Sequence, residues 1–364
     1  MTLSNRFDWK KLQQFCCEVF TNAGVSKEHA ETVSESLIQA DLRGVDSHGV
    51  VRTAIYIERI EKNMMDPFAQ PEMESQDFAT ALVDGKNNIG AVVGKKAVEI
   101  ALEQAKERGA AIVGVKNSNH FGTGAYYALK AIEKDMILLV MSNASQTMPP
   151  TGGKRPFIGT NPLCIGVPAG KELPFLLDMA TSVVARGKII VAAQKGEEIP
   201  NGWAVDKDGV PTTDAEAALE GAVLPVGGPK GYAISMFIDI LAGVLTGAGF
   251  GKYVNNMYEN WEEPQNVGHI FIAIDINRFM PIDMFKERMD CYIQQIKAEP
   301  KADGVDEILV PGEIEFRKTK ERMQNGIVLP EKTVEELERI GRKYSVDLSK
   351  AVFLDNHSKE AINK

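Results

Sequence analysis

The chain has 364 residues, of which 44% are hydrophobic, and a formal net charge of −9 at pH 7, so the length predicts two or three domains with substantial cores. The acidic balance, the lack of a basic stripe and the lack of an apolar run of about 18 residues argue against nucleic-acid and membrane partners. Four cysteines, two of them adjacent and the others scattered, and a start without the apolar segment of a signal peptide predict reduced thiols in a cytoplasmic protein.

The first part of the chain is predicted to be helical. Apolar periodicity indicates helices over residues 9–23 and 27–42, with Ser26 as the N-cap of the second. A third helix is expected to begin near His48 and to end near Asn63. Residues 64–77 contain two prolines and are expected to form an irregular connection between domains.

Strands and helices alternate in the central part of the chain. The predicted strands cover residues 81–85, 110–115, 136–141, 157–168, 173–178 and 269–276, and the predicted helices cover residues 91–108, 124–134 and 231–245. The last helix is almost wholly apolar, which predicts a central position. Residues 284–364 are mostly charged and are predicted to be helical again.

The segment after Gly44 contains a candidate site for a small carboxylic acid. If Ser47 caps the third helix, His48, Arg52 and Tyr56 recur every four residues and point in the same direction. The helix N-terminus would keep His48 neutral and able to accept a proton from a hydroxyl. Arg52 could then clamp a carboxylate with two hydrogen bonds. The alternatives are a half-buried structural histidine and a solvated arginine.

A second candidate is His120, which follows the strand predicted over residues 110–115. Loops after buried strands often face ligands in α/β proteins. Asn117, Ser118 and Asn119 offer hydrogen-bonding groups beside it. The alternative is an ordinary surface histidine.

The sequence favours a phosphate-bearing ligand, although it contains neither a complete dinucleotide fingerprint nor a P-loop. In the nearest match, Gly122-Thr123-Gly124-Ala125-Tyr126-Tyr127, a tyrosine replaces the third glycine, which would prevent close packing of helix on strand. Three turn-rich segments together predict such a ligand. Residues 151–162 offer backbone N–H groups for phosphate oxygens, residues 178–182 end a strand and could contact a ribose or an amide, and residues 227–232 lead into the apolar helix. Lys230, at the start of the apolar helix, is also well placed for an anion.

Over about residues 8–345 the chain resembles the type-2 malate/L-lactate dehydrogenase family. Six ordered blocks carry the resemblance: ADLRGVDSHGVVR, NSNHFGTGAYY, PPTGGKRPFIGTNPL, LLDMATSVVARGKI, WAVDKDGVPTTD and GGPKGYAISMFIDILAGVLTGAGFG. The resemblance implies a non-Rossmann α/β (α+β) protein, usually a homodimer, with a helical domain built from both chain ends. We therefore expect a helical domain over residues 1–75 and 286–364, and a mixed-sheet domain that binds NAD(P) over residues 76–285.

The resemblance also implies roles for individual residues. His48 matches an acid/base, Arg52 a ligand of the substrate carboxylate, Tyr56 a pocket residue, and His120 a second histidine that accepts the proton in some members; Ser47 precedes His48 as in the family. The implied cofactor-binding residues are Asn143, Ser145, Thr160, Asn161, Asp178, Met179, Ala180, Lys230, Gly231, Pro311, Gly312 and Glu313. A gapless alignment places Ala144 where the ureidoglycolate enzyme has a cofactor-contacting serine, which weighs against that substrate. No metal site is expected.

The expected function is transfer of a hydride between NAD, or NADP, and a small 2-hydroxy or 2-keto acid, with malate/oxaloacetate or lactate/pyruvate as the pair. One alternative is an NADPH-dependent reductase of cyclic 2-imino carboxylates, which the same arginine clamp would serve. A non-catalytic dinucleotide-binding protein would require the loss of site residues, yet Ser47, His48, Arg52 and His120 are all present. The sequence leaves open the choice between His48 and His120 as the group that moves the proton.

Overall fold

The structure is a computed structural model that describes residues 5–353. The chain divides into two compact units, one with the residues up to Phe68 and those described from Gly312 onward, the other with Ala69–Pro311. The boundaries expected after residues 75 and 285 therefore move. The second expected boundary falls inside a continuous helix, Ile282–Ala298, whose charged composition resembles that of the later helices.

The elements of the described residues are numbered in chain order. The strands are β1 (Arg6–Phe7), β2 (Glu72–Asp77), β3 (Thr80–Asp84), β4 (Ala110–Ser118), β5 (Met136–Ser142), β6 (Leu163–Val167), β7 (Phe175–Met179), β8 (Ala204–Val205), β9 (Pro211–Thr212), β10 (Ala222–Val223), β11 (Val267–Asp275) and β12 (Ile327–Val328). The α-helices are α1 (Trp9–Asn22), α2 (Lys27–Leu42), α3 (Arg52–Glu61), α4 (Gly90–Arg108), α5 (Gly124–Ile132), α6 (Arg186–Lys195), α7 (Ala215–Glu220), α8 (Pro229–Asp239), α9 (Ile282–Ala298), α10 (Glu313–Asn325) and α11 (Glu331–Tyr344).

The first unit is mainly helical, and its N-terminal and C-terminal segments pair with each other. Ser26 caps α2 by accepting a hydrogen bond from the His29 N–H, as the sequence predicts. The antiparallel pair β1–β12 links the start of the chain to its C-terminal segment. The buried side chains of α1 lie on one side of the helix and are Leu12, Phe15, Cys16, Val19 and Phe20.

The second unit is built on a mixed seven-stranded sheet in the order β2-β3-β4-β11-β5-β6-β7. Only β3 and β4 pair in parallel within it; the other neighbours are antiparallel. Because β4 and β5 both run against β11, they run in the same direction as each other. The carboxyl ends of β3, β4, β5 and β7 therefore share one edge of the sheet. Ligands of open α/β sheets bind outside such carboxyl ends.

Two predicted segments differ from the structure at the borders of this sheet. The connection expected over residues 64–77 ends in strand β2, whose residues are all exposed. Its polar side chains lack the alternation that identifies a half-buried strand. The strand expected from residue 157 begins only at Leu163, because the Gly- and Pro-containing residues before it form turns.

The prediction that the apolar helix lies in the centre is wrong. Helix α8 continues into a π-helix, Ile240–Val244, and one side of this pair is exposed. The exposed apolar side chains are Ile234, Met236, Phe237, Ile240, Val244 and Leu245. An unbroken apolar sequence indicates burial on all sides, but it does not say whether the same chain provides the cover.

Within residues 5–353, no helix is both long and apolar enough to cross a membrane. The four cysteines all fall in this range, and none of them forms a disulfide.

Candidate active site

The segment with His48 and Arg52 is not one helix, so that prediction is wrong. Asp46–His48 form a single 3-10 turn, the backbone is extended at Gly49, and α3 begins only at Arg52. Arg52 and Tyr56 do share a helix, whereas His48 lies before it. Ser47 is not the N-cap of a helix, and its hydroxyl lies 2.9 Å from Nδ1 of His48 instead.

Ser47 connects the imidazole to the guanidinium. Its side chain meets His48, and its carbonyl oxygen accepts a hydrogen bond of 2.7 Å from Nε of Arg52. One residue thus orients the two side chains that the sequence assigns to proton exchange and carboxylate binding. The structure brings Ser47, His48 and Arg52 together by hydrogen bonds rather than by helical periodicity.

Burial controls the ionisation of this group. Desolvation, with a smaller contribution from the cation of Arg52, lowers the pKa of His48 to about 3. Burial also lowers the pKa of Arg52 and raises the pKa of Tyr56 above its ordinary range. His48 is therefore neutral at physiological pH, as predicted, but because of desolvation and not because of a helix dipole. A neutral imidazole can accept a proton from a hydroxyl.

Sequence reasoning missed the two residues that hold this segment, Asp41 and Arg322. The buried carboxylate of Asp41 accepts a hydrogen bond of 2.8 Å from the Val50 N–H. Arg322, on α10, donates to the Asp41 carbonyl and to the Asp46 carboxylate. An aspartate inside the amphipathic helix α2 was the available signal, because a buried carboxylate requires hydrogen-bond partners.

His120 lies two residues after the end of β4, at the edge of the sheet where the carboxyl ends of β3, β4, β5 and β7 meet. The backbone N–H of His120 donates to the side-chain oxygen of Gln265 at 3.0 Å. The Asn119 side chain donates to the oxygens of Asn87 and Asn88 at 2.9 Å. A Cβ on Gly90 would lie 2.2 Å from the Asn119 carbonyl oxygen, so a glycine is required where α4 begins. The loop with His120 is therefore fixed from several sides.

A third histidine, His269, lies beneath this loop and was not predicted. Its ring is fully buried, and burial lowers its pKa to about 3. Its two nitrogens each lie 2.8 Å from a serine hydroxyl, Ser142 at Nδ1 and Ser118 at Nε2. The ring stacks on Phe121, with centroids 4.3 Å apart and planes 5° apart. A histidine within an apolar strand sequence was the signal, since buried polar groups need partners.

The side chain of Asp178, from β7, lies at the N-terminus of α5, the helix that begins within the incomplete fingerprint. Its carboxylate accepts a hydrogen bond of 2.8 Å from the Ala125 N–H in the first turn of α5. A helix N-terminus is the place where a Rossmann protein binds the pyrophosphate. Here a carboxylate of the protein itself lies at that position of α5.

The other predicted cofactor residues of the second unit gather around β7 and α8. The Val226 N–H donates to the Thr181 carbonyl at 2.9 Å, which joins the segment Asp178–Ala180 to the turn before Lys230. A Cβ on Gly231 would lie 2.1 Å from the Val226 carbonyl oxygen, so α8 can begin there only with glycine. The Leu176 N–H donates to the Pro311 carbonyl at 3.0 Å, which places the late loop beside β7.

Two of the predicted cofactor residues, Asn143 and Asn161, use their side chains for hydrogen bonds within the protein. The Asn143 side chain donates to Asp239 and to the Gly249 carbonyl, and it accepts from the Gly268 N–H. The Asn161 side chain accepts from the Ala144 N–H and donates to the Ser235 carbonyl on α8. Both asparagines are buried and hold the loops with the half-buried Ser145 and Thr160.

The polar groups at this edge suit a dinucleotide. The hydroxyls of Thr123 and Thr181 are buried and make no hydrogen bond within residues 5–353. Since buried polar groups are usually hydrogen-bonded, these hydroxyls can bind polar atoms of a ligand. At the start of α8, Gly228 has a φ of +62° and open space on its side-chain face, and Lys230 is exposed. Backbone N–H groups and a cation at a helix N-terminus are suitable for phosphate oxygens. In the same residues, no group of three or more His, Cys, Asp or Glu side chains is arranged to hold a metal ion.

The remaining predicted cofactor residues, Gly312 and Glu313, lie where the C-terminal part of the first unit begins. Gly312 has a φ of +97° immediately before α10. Glu313 is buried in the first turn of that helix, and its carboxylate lies 3.9 Å from a nitrogen of Arg317.

Comparison with known proteins identifies the family. The sequence profile described as malate/L-lactate dehydrogenase matches residues 7–338. A malate dehydrogenase of Pyrococcus horikoshii is 40% identical over 345 residues, which are 93% of this chain and 95% of that protein. The solved structure of the sulfolactate dehydrogenase from Methanocaldococcus jannaschii matches with a TM-score of 0.90 and 38% identity, covering 95% of this chain and 99% of that one.

A reductase also has this fold. The structure of delta1-piperideine-2-carboxylate reductase from Pseudomonas syringae pvar. tomato matches with a TM-score of 0.82 and 29% identity, covering 92% of this chain and 99% of that one. The profile match spans most of the chain, and it agrees with the mixed α/β fold and with the resemblance read from the six sequence blocks. The chain therefore belongs to the malate/L-lactate dehydrogenase family and is an oxidoreductase.

Proposed function

We propose that this protein is an NAD(P)-dependent dehydrogenase of small 2-hydroxy acids, with malate/oxaloacetate or lactate/pyruvate as its substrate pair. The observation that carries the proposal is the arrangement in which Ser47 contacts both His48 and Arg52. A carboxylate-binding cation and a neutral base held by one residue suit a substrate that carries a carboxylate beside a hydroxyl. The malate and sulfolactate dehydrogenases among the relatives support this substrate class.

Arg52 binds the substrate carboxylate in this proposal. The hydrogen bond from its Nε to Ser47 fixes the plane of the guanidinium, and a fixed fork loses little entropy when it binds a carboxylate. The bound carboxylate also favours the protonated form of His48, because an opposite charge raises the pKa of an imidazole. Substrate binding therefore moves the pKa of His48 upward from about 3, towards the range in which it can exchange a proton.

A bound nicotinamide dinucleotide would accept the hydride from the hydroxy acid in the oxidation direction and would donate it to the keto acid in the reverse direction. In the oxidation direction the hydroxyl proton passes to a histidine, either His48 or His120. We assign the dinucleotide to the edge of the sheet in the second unit, at Ser145, Thr160, Asp178–Ala180, Lys230–Gly231 and Pro311. Asn143 and Asn161 support these loops from below through the hydrogen bonds described above. NAD is the expected cofactor, and NADP is possible.

The second candidate function is reduction of cyclic 2-imino carboxylates. The structural match to a piperideine carboxylate reductase favours it, and the same arginine would bind the carboxylate. This alternative is expected to use NADPH and a protonated imine.

We also propose that the chain forms a homodimer, as the family resemblance implies. The exposed apolar side chains of α8 and the π-helix form the type of surface that subunit contacts cover.

The test is oxidation of NADH and NADPH, followed by absorbance, with oxaloacetate, pyruvate, sulfopyruvate and a cyclic imino acid. Turnover of oxaloacetate or pyruvate supports the proposal and identifies the cofactor. Turnover of the imine alone supports the second candidate. His48→Ala and His120→Ala are expected to reduce kcat, the essential histidine by about 10²- to 10⁴-fold, while the reduced cofactor still binds. Near-normal kcat in both site variants would contradict the mechanism.

A further inference from the structure

His269 lies at an irregularity of the sheet that places it between two strand ends. Strand β11 pairs with β4 on one side and β5 on the other, and the register shifts between Val267 and His269. The irregularity centres on Gly268, where a Cβ would lie 1.7 Å from the Ala242 carbonyl oxygen. Irregularities of this kind redirect a side chain next to a functional site.

The ring of His269 is attached to the chain on both sides of His120. On one side, its Nε2 lies 2.8 Å from the hydroxyl of Ser118, two residues before His120. On the other side, its face stacks on Phe121, the next residue after His120. The second nitrogen lies 2.8 Å from Ser142, at the end of β5. One imidazole therefore holds the loop with His120 against the central strands.

We propose that His269 is a positioning residue for His120, acting through Ser118 and Phe121. This inference rests on the proposed function, and within it on His120 as the one of the two candidate histidines that accepts the substrate proton. The ring is fully buried, so it acts on the reaction only through its neighbours. A small displacement of a reacting group lowers the reaction rate steeply. The contacts of His269 with Ser118 and Phe121 therefore affect the rate, because they fix the position of His120.

A histidine has the chemistry that this position requires. A neutral imidazole donates at one nitrogen and accepts at the other, so it can bond to two serine hydroxyls at once. It also presents a flat face to Phe121, with close and nearly parallel rings. Neither a hydroxyl nor an aliphatic side chain combines two hydrogen bonds with such a face.

Two substitutions separate the Ser118 side of the ring from the Ser142 side. His269→Gln places an amide near the position of Nε2 and retains a partner for Ser118. His269→Asn places an amide near the position of Nδ1 and retains a partner for Ser142. Both variants lose the stack on Phe121. Ser118→Ala removes the bond from the other side, and Ser34→Ala is the matched control, a buried serine on α2 that donates to the Glu31 carbonyl.

The first readout is hydrogen–deuterium exchange of the cofactor-free full chain over residues 117–124. We expect faster exchange there in His269→Asn and Ser118→Ala, and a smaller increase in His269→Gln. The second readout is steady-state kinetics with the substrate identified above. We expect kcat to fall by about tenfold to a hundredfold in His269→Asn and Ser118→Ala, with little change in KM. Ser34→Ala is expected to match the wild type in both.

Equal effects of His269→Gln and His269→Asn, or wild-type exchange and kcat in Ser118→Ala, would overturn the positioning role. His120→Ala separates this failure from failure of the proposed function. If His120→Ala retains wild-type kcat, the proposed role of His120 is wrong, and the exchange data still decide whether His269 orders the loop. If His120→Ala is inactive while Ser118→Ala is normal in both readouts, only the positioning role fails.

Discussion

The buried carboxylate of Asp41 accepts a hydrogen bond of 2.8 Å from the Val50 backbone N–H, inside the first unit. Its Oδ1 also lies where the side chain of residue 49 would be, 1.8 Å from a Cβ built on Gly49. Residues 49 and 50 connect the turn with His48 to the helix that begins at Arg52. A carboxylate on α2 thus determines where the candidate catalytic segment bends.

Gly49→Ala is expected to damage both stability and activity. The added methyl group would overlap the Asp41 carboxylate, so either the carboxylate or the backbone before Arg52 must move. Overpacking of this kind costs about 1–3 kcal/mol of unfolding free energy. We expect kcat/KM to fall by about tenfold or more, because His48 and Arg52 shift together. Urea unfolding and steady-state kinetics measure the two effects.

The matched control for this variant is Gly187→Ala. Gly187 lies in α6, and its Cβ would have open space around it. Alanine there is expected to be neutral or stabilising by up to about 1 kcal/mol, because it replaces glycine in a helix. If Gly49→Ala behaves like this control, the close contact with Asp41 does not constrain the segment.

Arg52→Lys is expected to raise KM for the keto acid more than it lowers kcat. Lysine keeps the positive charge but loses the planar fork and the Nε bond to Ser47. The loss of one charge-assisted hydrogen bond corresponds to about a tenfold to hundredfold increase in KM. Arg278→Lys is the control, since Arg278 donates to the Lys106 and Glu107 carbonyls before β4, at the opposite edge of the sheet. A fall in kcat with unchanged KM would assign Arg52 to another role.

Asp178 is expected to stabilise α5 by hydrogen bonding as well as by charge. Asp178→Asn can keep the acceptor for the Ala125 N–H and should lose only the charge at the helix N-terminus, about 0.3–1 kcal/mol. Asp178→Ala should lose both, about 0.5–2 kcal/mol. Thermal or urea unfolding of the cofactor-free protein measures the difference. Equal stability of the two variants would show that the hydrogen bond contributes nothing.

The neutral, buried ring of His269 is expected to make the fold sensitive to acid. Burial lowers its pKa to about 3, whereas an unfolded histidine takes up a proton near pH 6.5. Between these values the unfolded chain binds about one more proton than the folded chain, so stability falls as the pH falls from about 6.5 to about 3. The slope from this residue is up to about 1.4 kcal/mol per pH unit.

His269→Gln removes this titration and provides the measurement. The free energy of unfolding of the variant, from urea titrations at several pH values, should depend less steeply on pH between about 6 and 4 than that of the wild type. Parallel curves for the two proteins would mean that His269 does not titrate differently in the folded and unfolded chains.

Much of the secondary structure could be predicted from local patterns. The helices α1, α2 and α4 and the strands β3 to β5 and β11 lie within a few residues of their predicted positions. Capping side chains, Asp8 and Ser26, mark the starts of α1 and α2, and the strands are short apolar segments. Strand β2 was missed because its exposed polar residues carry no such pattern. The central position of α8 was wrong because hydrophobicity does not report which surface covers a helix.

The sequence by itself determined the family and the residue types of the site. Ser47, His48, Arg52 and His120 stand in blocks whose chemistry points to a carboxylate substrate and a proton acceptor. Only the tertiary structure decided how these residues are held. The turn at His48 is held by Asp41 and by Arg322, which lies 281 residues after Asp41 in the chain. The loop at His120 contacts His269, which lies 151 residues after Ser118. Hydrogen bonds between side chains far apart in the chain leave no periodic trace in the sequence, because folding alone brings the partners together.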